Sequence, residues 1–178
     1  MARLLAEAPT AGLGLPLSMG GATLTARVLG PVISVAPFRD RDAEVAARLG
    51  VELPPPNGMV QWGEGRILWT GPGRWLLVGA LAPGGLEILA AMVDQTDASA
   101  CVLLEGPGAR DALARLVPLD LRDRACPVGG TARTVLNHMT ATLSRLGEDA
   151  WEVMAMRSMA GTLVEEIAHA MRRVAVPG

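Results

Sequence analysis

Four tryptophans, Trp62, Trp69, Trp75 and Trp151, carry nearly all the aromatic surface of a sequence with no tyrosine and a single phenylalanine, Phe38. Trp62, Trp69 and Trp75 fall in one cluster of strand-like segments. They can serve as a stacking wall for a pterin or flavin ring, or as core and interface anchors. Arg157-Ser158 stands where a last strand gives way to a last helix. Its hydroxyl suits a helix cap, and its guanidinium suits a carboxylate of a partner or ligand. Asp94 and Asp97 bracket Gln95-Thr96 before an apolar strand, placed either to orient a substrate or to bond nearby backbone amides. Trp69, Trp75, Asp97 and Arg157 are therefore the candidates for a pocket or an interface.

Other residue types argue against chemistry of the chain's own. His138 and His169 lie far apart with no second ligand at metal spacing, so they read as a turn histidine and a helix-surface histidine. Ser18 lacks the glycine two positions earlier, where Pro16 stands, and so misses the nucleophile-elbow pattern. The glycine pairs Gly12/Gly14, Gly63/Gly65, Gly71/Gly73 and Gly106/Gly108 never acquire the third glycine of a dinucleotide-binding loop. All 16 basic residues are arginine, which excludes Schiff-base chemistry and the P-loop lysine. Cys101 and Cys126 fit two reduced thiols better than a disulfide framework. The expectation is that this chain supplies no catalytic residue, no metal site and no cofactor site.

The elements that must position these residues follow from periodicity and turn signals. Val32–Val35 predicts a strand, and Asp40 an N-cap for a helix through Val45, Ala46 and Leu49 that stops at Gly50. After Pro54-Pro55-Pro56 and Asn57-Gly58, strands are predicted at 59–62, 66–70 and 74–78. Gly84-Gly85 opens a predicted helix with Leu86, Leu89, Ala90 and Val93 on one face. Ala98–Leu104 reads as a strand buried on both faces, and Gly106-Pro107 starts a helix that Pro118 ends. Strands are predicted at 132–136, 140–146 and 151–156, then a helix capped by Ser158 that buries Leu163, Ile167, Met171 and Val174. Short turns between these strands favour antiparallel pairing, hence an α+β fold rather than a doubly wound sheet.

With 178 residues, half of them apolar, and a mean hydropathy of +0.32, the chain has material for one large or two small cores. Residues 1–21, broken by Pro9, Pro16 and several glycines, predict a flexible or partner-bound arm of a cytoplasmic protein, with no span of the ~20 apolar residues a bilayer requires. An N-terminal lobe is expected over 22–95 and a C-terminal lobe, packed on it, over 96–178. A net charge of −2 without a basic run, and the poverty of aromatics, argue against nucleic acid as a partner. The apolar fraction favours burial against a partner chain, and is equally compatible with homo-oligomerisation.

The segment Leu68-Trp69-Thr70-Gly71-Pro72-Gly73-Arg74-Trp75-Leu76-Leu77 resembles the tryptophan-flanked glycine-proline segment of the sarcosine oxidase gamma-subunit family. Asp94-Gln95-Thr96-Asp97-Ala98, Leu104 to Arg110, Pro118-Leu119-Asp120-Leu121 and Arg157-Ser158 follow in order, each similar to its counterpart there. The likeness spans residues 30 to 173; Met159 stands where that family commonly has an aromatic, and the N-terminal arm carries no family motif. The segments at Gly106 and Asp120 are also similar to the folate-binding domain of glycine-cleavage aminomethyltransferase, which implies a related α+β fold, mostly antiparallel, with a ferredoxin-like component. The resemblance implies an accessory subunit contacting a large alpha subunit, with beta and delta completing the complex. FAD, FMN, NAD and tetrahydrofolate would sit on partner subunits. That complex converts sarcosine, oxygen and tetrahydrofolate to glycine, hydrogen peroxide and methylenetetrahydrofolate. The alternative is a stand-alone folate-binding or aminomethyltransferase-like protein, with Trp69 or Trp75 against the pterin and Arg157 on the glutamate tail.

Overall fold

The first element is a hairpin, β1 (Leu17–Met19) and β2 (Ala22–Ala26), which turns at Gly20 and Gly21 with φ of 61° and 71°. A computed structural model describes residues 7–175 of the chain; the predicted arm's first six residues, and the last three of the chain, lie outside the described residues. From β1 onward the expected arm is part of a sheet. Leu13, Leu15 and Leu17, spaced two apart, pack partly buried against the main core. Its prolines and glycines shape turns around that apolar alternation instead of freeing the chain.

Strand β3 (Val32–Pro37) leads to helix α1 (Asp42–Leu49), as the periodicity predicts. Asp40 is not its cap: it takes a left-handed φ of 64°, and the N-cap position falls to Arg41, with no side-chain cap hydrogen bond. Gly50 ends the helix at φ 70°, the conformation glycine adopts at least cost. The meander β4 (Met59–Trp62), β5 (Gly65–Gly71) and β6 (Arg74–Val78) follows. The helix expected after Gly84-Gly85 is instead one 3-10 turn, Leu86–Ile88, and strand β7 (Ala90–Asp94). Its residues pair with β3 from Ile33↔Asp94 to Pro37↔Ala90. The helical spacing of Leu86, Leu89 and Val93 spans too few turns to outweigh that edge pairing.

The second half comprises β8 (Ser99–Glu105), α2 (Ala109–Leu113), β9 (Thr131–Leu136), β10 (Met139–Gly147), β11 (Ala150–Met156) and α3 (Ala160–Ala175). Ser158 does not cap α3, because a 3-10 turn at Arg157–Met159 intervenes and makes no side-chain cap hydrogen bond. Helix α3 buries Leu163, Ile167 and Met171 as expected, while Val174 is partly buried.

All strand pairs are antiparallel, in a six-stranded sheet ordered β1-β2-β8-β11-β10-β9 and a five-stranded sheet ordered β4-β5-β6-β3-β7. The α+β class holds. The five-stranded sheet ends at Asp94 of β7 and the chain enters the six-stranded sheet at Ser99 of β8, while β2 pairs with β8 and carries the first hairpin into the sheet of the second half. Strand β8, buried along most of its length, needs a hydrogen-bonding neighbour on each side. Leu24, Val102, Leu113, Trp151 and Ile167 build the core under α2 and α3. Val35, Val45, Ile67, Trp75 and Leu77 build a second under α1. Val32, Leu68, Val78, Cys101 and Met154 join the facing sides of the two sheets.

The Gly106-Pro107-Gly108 segment gains a structural reason. Gly108 donates its N–H to Gly21 O at 3.1 Å, and a Cβ on Gly108 would sit 1.9 Å from Gly20 O. Backbone meets backbone there, so neither side can yield by a rotamer change. Gly108→Ala is expected to lower stability by about 1–3 kcal/mol, read from a urea midpoint, whereas Gly161→Ala, with nothing within 4 Å of its new methyl, should not.

Candidate functional site

Of the four candidates, the structure brings Asp97 and Arg157 together and places Trp69 and Trp75 elsewhere. Trp69 and Trp75 face one another across β5 and β6, on the side covered by α1. Trp75 is buried and donates its indole N–H to Pro54 O at 3.0 Å; Trp62 does the same to Leu49 O at 2.8 Å. These rings anchor the proline spacer and the end of α1, and none of them lines either of the clefts described below. Trp151 is wholly buried in the other core, with the Arg145 guanidinium 5.2 Å above its ring.

Asp97 and Arg157 line a cleft of about 300 Å3 together with Arg27, Val28, Thr96 and Cys101. Arg157 Nη1 lies 3.9 Å from Asp97 Oδ1, and Nη2 donates to Glu7 O at 2.6 Å. Asp94 works locally: its Oδ1 accepts from Thr96 N at 2.9 Å and Thr96 Oγ1 at 2.7 Å. These two hydrogen bonds, the side-chain one foremost, hold its carboxyl below the usual range. Thr96 Oγ1 in turn accepts from Val32 N at 3.1 Å. The acidic junction thereby ties β3 to the chain that crosses between the sheets.

The most deeply buried charge was not among the candidates. Glu152, on β11, is fully buried; Arg66 of β5 donates to its Oε1, and Arg27 Nε lies 2.6 Å from its Oε2. The Arg27 contact is an ion pair without hydrogen-bond alignment, which leaves Oε2 buried and unsatisfied, as is Arg66 Nε. The cluster pairs charge across the two sheets. Burial, and secondarily the Glu152 charge, push the neighbouring Cys101 thiol far up, so it is a packed thiol and not a thiolate nucleophile. Burial raises the Cys126 thiol as well. Both cysteines are free, as expected.

Arg145 is more deeply buried than either Arg27 or Arg66. It donates to Asp123 Oδ1, Cys126 O and Glu148 O, each at 2.8 Å. It clamps the 122–130 loop to the β10–β11 turn. A lone charge inside an apolar strand, such as Glu152 between Trp151 and Val153 or Arg145 between Ser144 and Leu146, was the signal available for both.

A larger cleft, about 590 Å3, opens between the facing sides of the two sheets. Ser34, Thr70 and Arg74 belong to one wall, and Arg133, Thr142 and Met156 to the other. Among the described residues no three His, Cys, Asp or Glu side chains gather at metal-binding distance, and no helix is long and apolar enough to cross a membrane. His138 lies exposed in the β9–β10 turn and His169 exposed on α3.

The fold is shared with known proteins. A chain of the heterotetrameric sarcosine oxidase from Corynebacterium sp. U-96, solved in complex with pyrrole 2-carboxylate, superposes with a TM-score of 0.83 at 24% identity, covering 98% of this chain and 99% of that one. Aminomethyltransferase T of the Bartonella henselae glycine cleavage system superposes with a TM-score of 0.58 at 17% identity, over 83% of this chain and 45% of that one. In sequence, the sarcosine oxidase gamma subunit of an Arthrobacter sp. is 30% identical over 190 residues, 99% of this chain and 89% of the relative. That of Corynebacterium sp. strain P-1 is 31% identical over 146 residues, 75% and 70% of the two chains. A sequence profile described as "Sarcosine oxidase, gamma subunit family" matches residues 38–170, and with it the chain belongs to that family.

Proposed function

We propose that this chain is the non-catalytic accessory gamma subunit of a heterotetrameric sarcosine oxidase, supporting assembly with the large alpha subunit. The reading rests on family membership, and one observation carries its non-catalytic part: several of the groups with chemical potential are committed to holding the fold. Trp62 and Trp75 bond backbone carbonyls, Asp94 closes a turn, and Glu152 is enclosed by arginines. FAD, FMN, NAD and tetrahydrofolate would then reside on companion subunits, in the cytoplasm, within a complex that demethylates sarcosine oxidatively.

Co-expression with the companion subunits tests it. The chain is expected to purify with them in equal stoichiometry, and alone to release no hydrogen peroxide from sarcosine. Calorimetric titration of the isolated chain with tetrahydrofolate should give no saturable heat. One-to-one micromolar binding would favour a stand-alone folate protein instead.

A further inference from the structure

The two sheets are pinned at one end and part at the other. Arg66, near the start of β5, is tied to Glu152, near the start of β11. At the far ends of the same strands, Thr70 and Met156 line opposite walls of the 590 Å3 cleft. Its lining reaches from Val93 on β7, the outermost strand of the five-stranded sheet, to Arg133 on β9, the outermost strand of the other.

Two properties of this lining point to an occupant. Val93 and Met156, both in the cleft, are 57% and 64% exposed, a costly arrangement for apolar side chains that nothing covers. Arg74 and Arg133 contribute one guanidinium from each wall. Both are exposed, and neither takes part in an ion pair among the described residues. Among the described residues, the sole carboxylate in the lining, Asp94, has Oδ1 committed to Thr96. The cleft is therefore cationic, apolar at Val93 and Met156, and bordered by edge strands that can accept an extended chain.

We propose that this cleft seats an extended acidic segment of a companion subunit, with an apolar side chain against Val93 and Met156 and carboxylates paired to Arg74 and Arg133. The proposal rests on the accessory-subunit reading and names the surface that the reading requires. A small dicarboxylate would satisfy the arginines but would leave Val93 and Met156 in water.

The full chain, co-expressed with the companion oxidase subunits, provides the test. The double variant Arg74→Glu/Arg133→Glu is expected to weaken co-purification by about tenfold or more, with the deficit growing as salt is lowered. Its thermal melt should match that of the parent, because both side chains are exposed. In the assembled complex, amides of β7 and β9 should exchange more slowly than in the isolated chain. If the double variant assembles as the parent does, or if those amides are no better protected in the complex, the docking proposal is overturned while the accessory reading stands. If the parent chain itself stays apart from the other subunits, the accessory reading fails and takes the proposal with it. Equal protection of the same amides by tetrahydrofolate alone would overturn it in favour of a small ligand.

Discussion

Glu152→Ala should lower stability by about 3–5 kcal/mol and the melting temperature by on the order of 10 °C. The two arginines do not contribute equally to that loss. Arg27 is 35% exposed and can turn its head to water; Arg66 is 12% exposed and would be left as a buried cation without its partner. Removing one member of a buried pair costs more than the pair itself contributes, because desolvation of the survivor is no longer offset. The double variant Glu152→Met/Arg66→Met should therefore recover most of the loss, and the cycle measured by urea unfolding isolates the coupling. An alanine variant that melts with the parent would show that the charges across the sheets are dispensable.

Trp151→Ala is expected to cost about 3–5 kcal/mol, while Trp151→Phe should cost well under half of that. The ring is wholly buried in the core under α2 and α3, so alanine leaves a cavity in a region that packs helices on sheet. Its indole N–H, however, is buried without a hydrogen-bond partner, so phenylalanine gives up volume and no bond. Part of the alanine loss should appear as loosening of Arg145, whose guanidinium lies over the ring. Faster amide exchange in the 122–130 loop would report it. Equal destabilisation by both substitutions would show that the indole N–H has a partner in solution.

Much of the fold is legible along the chain. Strands β4 to β6 and β8 to β11 declare themselves by alternation and by the turn residues between them. The meander order then makes antiparallel pairing the short-range solution. Where the reading strays, tertiary pairing overrides a local pattern. Strand β7 carries apolar residues at helical spacing, yet β3 offers it a sheet edge. Asp40 and Ser158 have capping chemistry, but the backbone enters each helix through a different residue or an intervening 3-10 turn.

The site divides in the same way. Asp97 and Arg157 stand out because they sit at junctions between elements, and the fold brings them to one cleft. Trp69 and Trp75 stand out by composition alone, and which face of the sheet α1 would cover decides that they are core rather than cleft. Arg66 and Glu152 lie 86 residues apart, on different sheets, and neither has neighbours in sequence that announce the other.

The linear sequence by itself determined the α+β class, the succession of most elements and the family, because periodicity, turn chemistry and ordered motifs are properties of neighbouring residues. Only the tertiary structure decided which charges are buried together, which strands lie at the edges, and where the two sheets part to leave Arg74 and Arg133 facing an open cleft. Those outcomes depend on which faces meet across the fold, and on how much water each meeting excludes.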